Sequence, residues 1–92
     1  MNIDELIKTT HMVKILPEYF NDVAHKVKTF ELRKDDRNYK PGDDLILREY
    51  DGEHFTGRKI YASIKYVLRD CVQYGLLPGY CILAIKVDEV II

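Results

Sequence analysis

Pro17-Glu18-Tyr19-Phe20-Asn21-Asp22-Val23-Ala24-His25-Lys26-Val27-Lys28-Thr29-Phe30-Glu31-Leu32-Arg33 changes its apolar period part-way along. Phe20, Val23, Ala24 and Val27 recur at i, i+3, i+4 and i+7, the stripe of an amphipathic helix of two to three turns. Pro17 suits the first helical position, where no backbone N–H is required. Glu18 in the first turn and Lys26 in the last complement the helix dipole. From Thr29 the period becomes two: Phe30 and Leu32 share one face, and Thr29, Glu31 and Arg33 share the other.

On both sides of this junction the chain reads as strand. His11-Met12-Val13-Lys14-Ile15-Leu16 precedes it, with Val13 and Ile15 on one face. After it, Lys40-Pro41-Gly42-Asp43 places Pro and Gly where a type II turn needs them. Leu45 to Tyr50 then forms a strand, and Asp51-Gly52 opens a hairpin loop that closes by Gly57. Arg58 to Leu68 returns as a long strand rich in β-branched and aromatic residues. Residues 69 to 79 hold Gly75, Pro78 and Gly79 and read as a loop, and Tyr80 to Val87 is the last strand. Residues 2 to 9 form either a short helix or a frayed extension.

One helix cannot cover both faces of a flat five-stranded sheet, whereas closing the sheet around a core buries more apolar area. The expected fold is mainly β, between all-β and α+β. It is a small barrel of five to six strands, with one or two short helices packed at its end. Ninety-two residues suffice for one compact domain, assigned to residues 10–92 with residues 1–9 as an N-terminal extension.

Composition narrows the functional classes. With 47% hydrophobic and 32% charged residues the chain is ordinary for a globular protein, which excludes disorder. No apolar run approaches the roughly 20 residues that span a bilayer. The acidic start Met1-Asn2-Ile3-Asp4-Glu5 lacks the features of a signal peptide, so the expected location is the cytoplasm. Cys71 and Cys81, the two cysteines, are expected as reduced, buried thiols. His11, His25 and His54 are scattered, so neither a metal nor a cofactor is expected.

A net charge of −1 argues against strong non-specific binding to nucleic acid. The charge is unevenly spread, however. Residues 23–40 carry Lys26, Lys28, Arg33, Lys34, Arg37 and Lys40 against Glu31, Asp35 and Asp36. Such a basic patch on a neutral domain suits a discrete anionic ligand better than a long polyanion.

Lys28, Glu31 and Arg33 are the residues best suited to hold one. Arg grips phosphate or carboxylate bidentately, and Glu accepts from an amino group. A solvated strand face with a cross-strand ion pair is the competing account. Arg37, within Arg33-Lys34-Asp35-Asp36-Arg37-Asn38, reads as part of a solvated turn. Lys14, flanked by apolar residues on a strand, must reach water or an acid and could join the group. Seven tyrosines read as packing residues, of which a subset could stack on bases. Thr29 and Ser63 have no evident His partner, so material for nucleophilic catalysis is slight.

Three runs carry a family likeness: residues 11–20, residues 28–37 and Gly42-Asp43-Asp44-Leu45-Ile46-Leu47-Arg48-Glu49-Tyr50, continued by Thr56-Gly57-Arg58 and Gly79-Tyr80-Cys81-Ile82-Leu83. Together they resemble the uncharacterised ASCH-like domains of phage and Gram-positive bacteria, members of the PUA-like superfold. The wider family carries Gly-x-Lys-x-x-Glu-x-Arg between its first helix and the next strand. Lys28, Glu31 and Arg33 match this motif, while Lys26 stands at the Gly position. The resemblance implies a β-barrel with a cleft beside the motif and an RNA-binding role.

A similar branch hydrolyses amides on acylated cytidine with a Lys and a Thr three residues later. Lys28 matches the Lys, but Glu31 replaces the Thr, so that mechanism is not expected here. The leading expectation is therefore a binding module for RNA or a nucleotide, using Lys14, Lys28, Glu31, Arg33 and Arg48, with no catalytic residue assigned. A small hydrolase on a modified nucleoside or amide and a protein–protein adaptor using the tyrosine-rich surface remain as alternatives. The sequence leaves the oligomeric state open.

Overall fold

A computed structural model describes residues 8–92. The chain is mainly β. Its elements are β1 (Thr10–Ile15), α1 (Pro17–Ala24), β2 (Phe30–Lys34), β3 (Asp44–Tyr50), β4 (Phe55–Leu68) and β5 (Tyr80–Ile91), with a 3₁₀ turn at Val72–Tyr74. The helix considered over residues 2–9 falls almost wholly outside the described residues.

The five strands form one sheet in the order β1-β3-β4-β5-β2, curled into a half-barrel. β1 runs parallel to β3, and every other pairing is antiparallel. Alternation explains the core. Val13 and Ile15, Leu45 and Leu47, Ile60, Ala62 and Ile64, and Cys81, Leu83 and Ile85 all point to the concave side. Phe20 and Val23 of α1 close over them, and each buried side chain of this size contributes about 1.5–3 kcal/mol.

The helix is shorter than its periodicity implies. Leu16 caps it in extended conformation, and the Tyr19 and Phe20 amides donate to the Leu16 carbonyl oxygen. At the other end Lys26 takes a left-handed conformation, φ 62°. The Lys26 amide donates to Val23 O and the Val27 amide to Asp22 O, the paired bonds of a Schellman motif. The chain therefore reverses before Val27, which is 77% exposed and not the last residue of the apolar stripe. Lys26 likewise lies beyond the last turn, not within it.

β5 continues to Ile91, four residues past its expected end at Val87. A ladder irregularity between Tyr61 and Ala62 shifts the register, so Val90 as well as Val87 packs on the core. The turn before β3 is as expected, with Gly42 at φ 93° and the Asp43 amide donating to Lys40 O. Both cysteines are free thiols; Cys81 is buried, but Cys71 is partly exposed, against the expectation of two buried thiols. Among the described residues no helix is long and apolar enough to cross a membrane.

Candidate ligand site at the seam of the half-barrel

β1 and β2 are the two edges of the curled sheet, and they meet through a side chain instead of a ladder. Arg33 Nη1 of β2 donates to the Lys14 carbonyl oxygen of β1 at 2.9 Å. What stands behind that bond inverts the usual sense of a strand. Glu31 points inward and is 4% exposed, while Phe30 and Leu32 face outward at 46% and 59%. The ladder requires this: Glu31 pairs with Leu83 and Arg33 with Cys81, both concave-side residues. The solvated-face account of Glu31 is thereby excluded.

A buried carboxylate must be paired, and Glu31 is paired twice. Oε1 accepts from Lys28 Nζ at 2.8 Å and Oε2 from Arg33 Nη1 at 3.2 Å. Lys28 Nζ also donates to Phe30 O at 2.7 Å and lies 4.8 Å from the Phe30 ring centroid. The left-handed turn at Lys26 delivers Lys28 to this position directly after the helix. Glu31 thus acts as an anchor that holds two cations at the seam.

In front of the seam lies a cleft of about 380 Å³ lined by Met12, Val13, Lys14, Arg33, Arg37, Arg48 and Phe55. Four of the seven lining residues are cationic and none is acidic. Lys14 and Arg48 are register partners on adjacent strands, which places them side by side. Aromatic faces orient both. Lys14 Nζ sits 4.2 Å from the Tyr50 ring centroid, and the Arg48 guanidinium sits 3.7 Å from that of Phe55. Tyr50 and Phe55 pack against each other at 5.1 Å.

This support matters because a π face orients a cation without cancelling its charge. Two other arginines show the contrast. Arg58 forks onto Glu49 through Nε at 2.9 Å and Nη2 at 2.7 Å, and Thr56 Oγ1 donates to the same carboxylate at 2.7 Å. The Arg58 bonds hold the Glu49 carboxyl below its usual range and push the Arg58 guanidinium up. Arg69 forks onto Asp35 at 2.6 and 3.1 Å and donates to Tyr39 O, closing the loop after β2. Arg58 and Arg69 are spent on the fold. Among the described residues Lys14, Arg37 and Arg48 have no carboxylate partner.

The structure therefore gathers Lys14, Arg33 and Arg48 around one cleft and sets Lys28 and Glu31 behind it as support. Four lining residues lie outside the expected set: Met12 and Val13, which precede Lys14 on β1, and Arg37 and Phe55. Arg37 carried a signal in the local excess of positive charge but reads locally as a turn residue. Phe55 sits in a hairpin loop by its letters, and only the β3–β4 register brings it under Arg48.

A second polar cluster lies elsewhere. His11 Nε2 is 2.8 Å from Asp43 Oδ2, which also accepts from the Lys40 amide, and the His11 ring packs on Tyr39 at 4.7 Å. It ties the start of β1 to the turn before β3. No group of three or more His, Cys, Asp or Glu among the described residues is placed to hold a metal ion.

The family model described as a domain of unknown function (DUF3850) matches residues 10–85. The chain belongs to the DUF3850 family. It is also similar to the uncharacterized 12.9 kDa protein in GpA 3'region of Escherichia phage P2, with 50% identity over 54 residues. That stretch covers 59% of this chain, and the chain spans half the length of the phage protein. The DUF3850 match takes in β1 to β4 and the first half of β5, hence every residue that lines the cleft and both that support it.

Proposed function

We propose that this DUF3850 chain is an RNA- or nucleotide-binding module, and that the cleft at the seam is its ligand site. The observation that carries this reading is the cleft's charge: Lys14, Arg33, Arg37 and Arg48 line it without an acidic residue, beside the aromatic ring of Phe55. Clefts of a single sign concentrate oppositely charged ligands, and arginine matches the geometry of phosphate. An aromatic wall adds a surface on which a base can stack.

The same reading favours membership of the ASCH-like, PUA-like group. The left-handed Lys26 supports it, because that position in the group's motif is the glycine for which such a backbone conformation is easiest. A reducing, cytoplasmic location accords with two free thiols. The hydrolase alternative draws less support, since Lys28 Nζ is engaged by both Glu31 and Phe30 O instead of facing an open site.

Titration of isotope-labelled protein with short RNAs and with nucleotides tests the proposal. Signals of Lys14, residues 26–37 and Arg48 are expected to move together, and Arg48→Gln to weaken binding. Unchanged shifts in these residues with every ligand would reject the proposal.

A further inference from the structure

Taking the seam cleft as the ligand site, its charge density specifies which phosphate it takes. The Lys28–Glu31–Arg33 triad carries one net positive charge, and Lys14, Arg37 and Arg48 add three that no described carboxylate offsets. An internal RNA phosphodiester brings one negative charge per nucleotide, and successive phosphates are spaced along the strand. A terminal di- or triphosphate places three or four charges within a few ångströms. About 380 Å³ lies within the range of compact small-molecule sites, so four cations converging there exceed what one phosphodiester requires.

Two features of the lining agree. Lys14 and Arg48 are oriented by the Tyr50 and Phe55 rings, so they are positioned before a ligand arrives while keeping full charge. Arg37, exposed on the loop after β2, lines the cleft together with Lys14 of β1 and Arg48 of β3. The three therefore approach from different segments, as a compact polyanion needs, instead of forming a linear track along one strand.

We infer that the cleft takes a terminal di- or triphosphate, as carried by a nucleoside polyphosphate or by the 5′ end of an RNA. The test compares two short RNAs of one sequence, one with a 5′-triphosphate and one with a 5′-hydroxyl, together with ATP, at one fixed salt concentration. The triphosphorylated RNA or ATP is expected to bind at least about tenfold tighter than the hydroxyl RNA, and inorganic triphosphate to displace it. Arg37→Gln, which removes only an exposed side chain, is expected to erase most of that preference while leaving the fold intact.

ATP binding as tightly as the triphosphorylated RNA assigns the site to free nucleotides; tighter RNA binding assigns it to RNA ends, and both outcomes support the inference. Equal affinity for the two RNAs with no binding of ATP overturns the inference and leaves RNA binding standing. Binding of neither RNA nor ATP overturns both.

Discussion

Arg33 and Lys14 stand on opposite edges of the sheet, and the Arg33 guanidinium donates to the Lys14 carbonyl oxygen at 2.9 Å. The same nitrogen donates to buried Glu31 at 3.2 Å, so one cation latches the two edge strands and satisfies an internal carboxylate.

Replacing Arg33 by Leu removes both bonds and leaves Glu31 with Lys28 alone. A stability loss of about 2 kcal/mol is expected. Urea unfolding measures it, and hydrogen exchange should show β1 and β2 opening first. Lys34→Gln, one residue along and exposed without a described partner, should leave both measurements unchanged.

Lys26 holds a left-handed conformation that costs a non-glycine residue free energy. Lys26→Gly is expected to stabilise the protein by about 0.5–1 kcal/mol, seen as a higher urea midpoint with an unchanged slope. A lower midpoint would show that the lysine side chain outweighs the backbone strain.

Glu49 is bound by Arg58 and Thr56, and the Arg58 hydrogen bonds lower its carboxyl from the ordinary value of 4.5. A carboxylate depressed in the folded state contributes stability that is full above its unfolded value and lost as pH falls through the folded one. The stability gap between the wild-type protein and Glu49→Gln should therefore be widest above about pH 5 and narrow as the pH falls from there through the lowered folded value. Chemical unfolding across pH 3–7 reads it; a gap constant with pH would contradict this linkage.

Gly57 lies within β4 at φ 95°, opposite the register irregularity between Arg48 and Tyr50. This bulge turns Thr56 and Arg58 onto one carboxylate, Glu49. Gly57→Ala should cost about 1–2 kcal/mol, and Arg58→Ala roughly 3 kcal/mol by leaving buried Glu49 without its cation. Thermal unfolding of both variants compares the two losses.

The element order was legible because Pro17, Gly42 and the period-two runs act locally. The facing of β2 was not. Alternation alone separates Phe30 and Leu32 from Glu31 and Arg33 but is symmetric between inside and outside. The β5 register settles it, by aligning Glu31 with Leu83. The length of α1 was obscured for a related reason, since Val27 fits the helical spacing although a lysine has already turned the chain. At the site, Lys14 is legible as a lysine flanked by apolar residues on a strand, and Arg33 by its spacing from Lys28 and Glu31. Arg37 and Phe55 join them only through the fold, because adjacency across strands leaves no mark in the linear spacing.

The latch at Arg33 also bears on how this protein coexists with other chains. An incomplete barrel has two strand edges whose peptide groups can recruit foreign strands into aggregates. Here the edges face each other, with Arg33 on the Lys14 carbonyl and Lys28 on the Phe30 carbonyl. These two cations occupy edge carbonyls that an incoming strand would otherwise use, and so discourage self-templating along the seam.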